Sequence, residues 1–264
     1  MTRRVLIDDL PTNDESVPGF SRNLRADAWL KKASELAKSG SLDAAIKALE
    51  SAELAMSQGE VDYSPAVLCR LPMYLQEAGR GQEAVDKLID LLGRYPSAWG
   101  KPLRRDQVGM FQGHIESQRG TVYDKLRLVL QREQRYLEAI PYAILAETYR
   151  PRIDWRIYKY LAKKWEGKEA PVDPDLTQVK AAGGTFKDYM KEGEKIFEWD
   201  AFTNLRESFE GGLDTPKLSA VATLLKKMGQ RDRLPELQSY AKDLLEDFKK
   251  QDSEVIAEIQ VLLG

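Results

Sequence analysis

The amino-acid sequence predicts an all-α fold built from antiparallel helix pairs. Apolar residues recur at intervals of three and four along most of the chain, which is typical of one buried helix face. No stretch alternates apolar and polar residues as a β-strand would. Three stretches also share one spacing of large, small and turn-forming residues, which indicates the same two-helix unit in each.

The composition is ordinary for a globular protein and limits the functions to consider. Of the 264 residues, 42% are hydrophobic and 31% are charged, and the formal net charge is −2. This balance argues against a dedicated nucleic-acid-binding protein, because phosphate neutralisation needs an excess of Lys and Arg. The single cysteine, Cys69, excludes an internal disulfide bond and fits a reducing compartment.

The short apolar runs of the sequence favour a cytoplasmic location. No apolar run approaches the roughly 18–20 residues that span a bilayer, so we expect no membrane insertion. After the basic pair Arg3 and Arg4, the apolar stretch stops after three residues, which is too short for the core of a signal peptide. We therefore expect a cytoplasmic protein in which residues 1–20 form an N-terminal arm.

The three related stretches have the same order of residue types. Each has a packing alanine, a turn residue five positions before it and a large residue 16 positions before it. These are Trp29, Gly40 and Ala45 in residues 25–57; Leu68, Gly79 and Ala84 in residues 65–96; and Tyr123, Gln134 and Ala139 in residues 120–151. Two antiparallel helices pack closely where one contributes a small side chain, and the turn between them favours glycine. Each stretch therefore predicts a helical hairpin with the large residue and the alanine in its core.

This spacing resembles the tetratricopeptide repeat (TPR) family, with degenerate repeats. The family repeat is about 34 residues long, whereas the three alanines here are 39 and 55 residues apart. Pro72 and Arg127 stand where the family has a small residue, and Gln134 stands where it has the turn glycine. The resemblance implies a right-handed superhelical solenoid of helix pairs, with extra helices, over residues 21–165.

Two further helices are predicted within that region. Apolar residues at helical intervals predict one long helix near residues 106–134, and the alternative is a separate short helix that ends near Gly120. Pro151 closes the third stretch, and a new helix is expected over residues 153–165.

The remainder of the chain predicts a linker followed by more helices. Residues 166–184 form the linker, and residues 185–264 form a C-terminal helical region. This region contains a helix over residues 185–210, a degenerate fourth pair over residues 216–248 and a last helix over residues 253–263. Thr215 is expected to cap the first helix of that pair, with Pro216 at its first position.

The TPR resemblance also implies where a partner would bind. In the family, the first helix of each pair lines a concave groove that takes peptides or helices. The corresponding residues here are Leu30, Ser34, Lys38, Cys69, Met73, Gln76, Asp124, Leu128 and Gln131. This mildly apolar groove suits an amphipathic or extended segment of a protein or peptide partner. The alternative is that the N-terminal arm or the loop near Trp99 covers the groove.

The chemistry of the chain favours a non-catalytic scaffold or adaptor. His114 is the only histidine and Cys69 the only cysteine, so we expect no metal site, no cofactor and no catalytic residues. One alternative is a helical enzyme with a pocket near residues 149–200, where Glu194 and Glu198 lie one helical turn apart. Another is an RNA-binding solenoid that uses a basic stripe within residues 150–168. The side chains of that stripe would be Arg152, Arg156, Lys159 and Lys163.

Overall fold

The computed structural model describes residues 23–58, 63–95, 97, 99 and 112–264, with the backbone alone for residues 112–117. Within these ranges every regular element is a helix and none is a strand, so the all-α prediction is confirmed. The α-helices are α1 Leu24–Lys38, α2 Leu42–Ser57, α3 Pro65–Leu68, α4 Arg70–Glu77, α5 Gly81–Arg94, α6 Gln112–Arg132, α7 Tyr136–Trp165, α8 Leu176–Ala181, α9 Phe186–Phe209, α10 Ser219–Met228, α11 Leu234–Glu246 and α12 Asp252–Leu263. None of these helices is both long and apolar enough to cross a membrane.

The described residues fall into two compact units. Unit 1 comprises the described residues up to Arg94 together with Lys125–Arg135. Unit 2 comprises the described residues of Tyr95–Asp124 together with Tyr136–Gly264. The residues of α6 are therefore divided between the two units.

Unit 1 begins with α1 and α2, which form the hairpin predicted over residues 25–57. Asn23 caps α1 by accepting a hydrogen bond from the Ala26 amide (3.0 Å), and its Nδ2 donates to the Ala55 carbonyl of α2 (2.8 Å). The packing alanine Ala45 is fully buried, as predicted. Trp29 was expected in the core but is only half-buried.

The second predicted pair is also formed in unit 1. Here α3 and α4 together provide the first helix and α5 provides the second. Leu75, Ala84 and Leu88 are fully buried in the core of this pair. Helix α2 packs against α4, and Lys87 of α5 forms an ion pair with Glu53 of α2 (3.2 Å).

The turns that follow α1, α4, α6 and α10 share one backbone geometry. In each, one residue adopts a left-handed conformation, and the amide of the next residue donates to the carbonyl five positions earlier. The left-handed residues are Gly40 (φ 80°), Gly79 (φ 76°), Gln134 (φ 60°) and Gly229 (φ 72°). The hydrogen bonds run from Ser41 to Leu36, Arg80 to Leu75, Arg135 to Leu130 and Gln230 to Leu225, each at 2.9 Å. This is a common way to end a helix, and glycine adopts it without steric penalty.

Helix α6 runs through Gly120 without a break, so the alternative of a separate short helix ending there is wrong. Close packing explains the glycine, since a Cβ at Gly120 would lie 3.1 Å from the Cβ of Tyr149 in unit 2. Tyr123 of α6 stacks on Tyr142 of α7, with ring centroids 6.0 Å apart. Residues 106–111 of the predicted long helix lie outside the described residues.

Helix α7 continues through Pro151, where the sequence predicted a break and a new helix from residue 153. That prediction is wrong. A proline inside a helix costs roughly 3 kcal/mol, but packing on both sides of Pro151 outweighs this cost. Tyr149, Arg152 and Ile153 are each 1% exposed, and α9, α10, α11 and α12 all pack against α7.

The helices after α7 agree with the predicted bounds within a few residues. Thr185 and Asp188 form a capping box at the start of α9, and Asp188 accepts a hydrogen bond from the Thr185 amide at 2.9 Å. Helices α10 and α11 lie within residues 216–248, and α12 confirms the predicted last helix. Helix α8 lies within the residues that were predicted as a linker.

The start of α10 differs from the prediction. The helix begins at Ser219 rather than Pro216, and Thr215 does not cap it. Instead, Glu147 of α7 accepts hydrogen bonds from the amides of Ser219 (2.8 Å) and Ala220 (2.9 Å). A carboxylate from another helix therefore satisfies the first amides of α10 and complements the positive end of its dipole.

Candidate partner-binding face

The predicted groove residues of unit 1 lie on three neighbouring helices. We call α1, α4 and the unit 1 part of α6 (residues 125–132) the first-helix row. Arg70 of α4 donates to Ser34 Oγ (2.8 Å) and to the Leu30 carbonyl (3.2 Å) of α1. Gln76 of α4 accepts a hydrogen bond from Arg132 of α6 through its Oε1 (2.7 Å). These bonds join α4 to α1 at one point and to α6 at another, so the three helices are neighbours in chain order.

The first-helix row leaves apolar side chains partly open to solvent. Leu30, Met73 and Leu128 come from three different helices and are each half-buried. Lys38 is exposed at the end of α1. Gln131 is half-buried and accepts a hydrogen bond from the arginine one turn earlier in α6 (2.9 Å). The row thus combines partly open apolar groups with polar groups that hydrogen-bond within the unit.

Cys69 does not line this row, which corrects the prediction. The residue is 2% exposed, and burial raises the pKa of its thiol to about 12, with Lys125 of α6 acting in the opposite direction. The thiol is therefore neutral at pH 7 and packs as a small apolar group. The sequence held the signal for this outcome, because Cys69 is flanked by Leu68 and Leu71, which are both buried.

Asp124, the remaining predicted groove residue, belongs to unit 2 and is half-buried. It lines an open depression between α6 and α7 whose other lining residues are Gly120, Thr121, Ala146, Tyr149 and Arg150. In the region of the enzyme alternative, Glu198 is 6% exposed and forms an ion pair with Lys164 of α7, whereas Glu194 is exposed. Among the described residues, no three His, Cys, Asp or Glu side chains are arranged to hold a metal ion.

The predicted basic stripe is not formed as an exposed surface. Arg152 is 1% exposed and Arg156 is 7% exposed, whereas Lys159 and Lys163 are exposed. The helical face assignment failed because α7 is surrounded by four other helices of unit 2, so its buried surface is wider than one amphipathic stripe. Two of the four side chains that the RNA-binding alternative requires are therefore buried.

Arg152 is instead held inside unit 2 by hydrogen bonds and an aromatic ring. Its guanidinium donates to the backbone carbonyls of Asp247 (2.9 Å) and Lys250 (2.8 Å) and lies 3.8 Å from the centre of the Trp99 ring. Burial lowers the pKa of Arg152 to about 10, with the charges of Asp252 and Asp247 acting in the opposite direction. The side chain therefore remains cationic at pH 7, held by carbonyl acceptors and an aromatic face.

A buried polar cluster centred on Asp252 was missed by the sequence reading. The Asp252 carboxylate accepts hydrogen bonds from Trp99 Nε1 (2.9 Å), Arg119 Nε (2.6 Å) and the Tyr123 hydroxyl (2.7 Å). Burial raises the pKa of Tyr123, and the nearby charge of Asp252 adds to this effect. No spacing pattern joins residues so distant in sequence. The one local signal was an acidic residue at the first position of a helix.

Nothing matches this chain in comparisons with protein-family models, curated proteins and solved structures. Its class is therefore defined by its own fold, an all-helical protein with packed helix pairs. Within the described residues, the candidate site of that class is the first-helix row of unit 1.

Proposed function

We propose that this protein is a non-catalytic scaffold or adaptor of the TPR type, whose first-helix row binds a segment of another protein. The observation that carries the proposal is the pair of cross-helix hydrogen-bond sets at Arg70 and Gln76, which hold α1, α4 and α6 together. They do so while Leu30, Met73 and Leu128 stay partly open. A face that combines polar bonds between its helices with partly open apolar groups suits reversible burial against a partner.

The spacing of the row favours an amphipathic helix as the bound segment. Packed helices lie 8–10 Å apart. At that spacing, a partner that crosses the row would meet a new apolar side chain about every 8–10 Å. An α-helix rises about 1.5 Å per residue, so residues seven apart on one face are separated by about 10 Å. We therefore expect the segment to carry apolar residues at seven-residue intervals, with an extended apolar segment as the alternative.

Selection from a helical peptide library tests this proposal. Peptides are selected on the full chain, and their affinities are then measured by fluorescence anisotropy for wild type, Met73→Glu and Leu128→Glu. A carboxylate at either position places a charge in the apolar contact, so affinity should fall at least about tenfold, which corresponds to about 1.4 kcal/mol. The matched control is Ile89→Glu, since Ile89 is 47% exposed on α5, the second helix of its pair.

The proposal predicts amphipathic selected peptides whose binding survives Ile89→Glu and is lost with Met73→Glu. Equal losses in both variants, or peptides that bind Met73→Glu as well as wild type, would place the site elsewhere. Removing residues 1–20 tests the alternative that the N-terminal arm covers the groove. If the arm competes for the row, its removal should raise the affinity for the same peptides.

A further inference from the structure

Helix α9 of unit 2 carries an exposed apolar stripe. Phe186, Met190 and Phe197 are 60%, 50% and 61% exposed. With Gly193 they follow spacings of four, three and four residues, which place all four on one side of the helix. The opposite side of α9 packs against α7, where Phe202 stacks on Tyr158 with ring centroids 6.2 Å apart. We call Phe186, Met190, Gly193 and Phe197 the α9 stripe.

The fold of the described residues does not require the glycine of this stripe. A Cβ at Gly193 would meet no atom within 4 Å, and the residue does not have a positive φ. Glycine in a helix interior costs up to about 1 kcal/mol relative to alanine. Single exposed apolar residues are normal, but three large ones on one helical stripe mark an interaction surface. A glycine between them allows a partner side chain to approach the helix backbone.

We infer that the α9 stripe binds the α9 stripe of a second copy of this chain, antiparallel and with two-fold symmetry. In that register, Phe186 lies opposite Phe197 of the second copy, and Met190 lies opposite Gly193 of the second copy. Symmetry repeats both contacts, so each large side chain meets either an aromatic ring or the space above a glycine. Such an isologous contact uses the same residues on both chains.

Charge complementarity selects this partner and this direction. Lys187 and Glu194 are both exposed and lie seven residues apart along one edge of the stripe. In the antiparallel register, each lies beside the opposite charge of the second copy, which gives two Lys–Glu pairs. A parallel pairing would instead place this edge of each helix on opposite sides of the contact, so neither Lys–Glu pair would form. Charges at such flanking positions set partner choice and orientation in helix pairs.

The size of the stripe predicts a weak, concentration-dependent dimer. A stable interface buries about 800 Å² per partner, which is more than three partly exposed side chains provide. This contact is independent of the first-helix row, and its failure would leave the proposed peptide-binding function untouched.

Sedimentation velocity of the full chain over a wide concentration range tests the dimer. Wild type should shift from monomer towards dimer as concentration rises. Lys187→Glu and Glu194→Lys each bring like charges together, so each variant alone should associate about tenfold more weakly or worse. An equimolar mixture of the two should recover association, because both edge pairs become opposite in charge in the mixed dimer. The double variant should recover it too.

The matched control is Lys226→Glu, a charge reversal at an exposed residue of α10, which should associate like wild type. Circular dichroism checks that each variant keeps its helix content. Wild type that stays monomeric at every concentration would overturn the inference. So would single variants that associate like wild type, or a mixture of single variants that associates no better than its components.

Discussion

Gln134 has the left-handed backbone of the turn glycines Gly40, Gly79 and Gly229. A side chain in this conformation costs roughly 1–2 kcal/mol, which is partly offset because glycine makes the unfolded chain more flexible. We therefore expect Gln134→Gly to raise the free energy of unfolding by up to about 1 kcal/mol. Urea denaturation measures this change.

The matched control for this prediction is Gly79→Ala. A Cβ at Gly79 would meet no atom within 4 Å, so its cost should come from the backbone alone, with a loss of about 1 kcal/mol. If Gln134→Gly instead lowers the free energy of unfolding, contacts of the Gln134 side chain must outweigh the backbone cost.

Single buried residues also show where sequence reading falls short. Cys69 and Arg152 were both assigned to open surfaces, and both are buried. The cysteine error was avoidable, because its neighbours along the chain are apolar. The arginine error was not, since its acceptors are the carbonyls of Asp247 and Lys250, about 95 residues later in the chain. Only a tertiary contact of this kind makes a buried guanidinium tolerable.

At the scale of elements, the start of α10 depends on Glu147 of α7. Its carboxylate accepts from the Ser219 and Ala220 amides, so Glu147→Ala should destabilise the protein by about 1 kcal/mol. Hydrogen exchange of the first amides of α10 should become faster in this variant. Thr215→Ala is the control, and as an exposed substitution it should change the free energy of unfolding by less than about 0.5 kcal/mol.

These two variants distinguish the structure from the sequence prediction. A Thr215 cap would make Thr215→Ala the more damaging change, with Glu147→Ala nearly neutral. The opposite order is expected, because a carboxylate at a helix N-terminus complements both the amides and the helix dipole.

Helix locations were largely predictable, whereas several helix ends were not. The predicted hairpins over residues 25–57 and 65–96 are formed, because local spacing and turn residues specify them. Pro151 was interpreted as a helix end on local grounds, yet α7 passes through it. Helices α9, α10, α11 and α12 pack against α7, and Tyr149 and Arg152, on either side of the exposed Pro151, are buried. Tertiary packing can therefore override a local breaker.

At the scale of the whole molecule, the sequence predicted the fold class better than the site. Helical spacing identifies which faces are apolar, but it does not say which of them are covered by other helices. Leu30, Met73 and Leu128 are partly open, as the groove prediction requires, while half of the predicted basic stripe is buried. The α9 stripe has helical apolar spacing that the sequence analysis did not single out, and its exposure became evident only from the structure.

The Asp252 cluster joins parts of unit 2 that are far apart in sequence. Asp252 is 4% exposed and accepts from Trp99, Arg119 and Tyr123. Removing the carboxylate breaks the ion pair of the mostly buried Arg119 and leaves the buried Trp99 and Tyr123 donors without this acceptor, so Asp252→Ala should cost about 3–5 kcal/mol. Tyr123→Phe deletes one donor only and should cost about 1–2 kcal/mol.

Urea denaturation followed by circular dichroism compares these variants, with Asp252→Asn as an intermediate that keeps an acceptor but loses the charge. The expected order of destabilisation is Asp252→Ala, then Asp252→Asn, then Tyr123→Phe, because the cost rises with the number of buried polar groups left unsatisfied. If Asp252→Ala costs no more than Tyr123→Phe, the carboxylate does not hold the cluster together. In that case the stability of unit 2 depends on its other contacts, such as the apolar packing around α7 and the hydrogen bonds of Arg152 and Glu147.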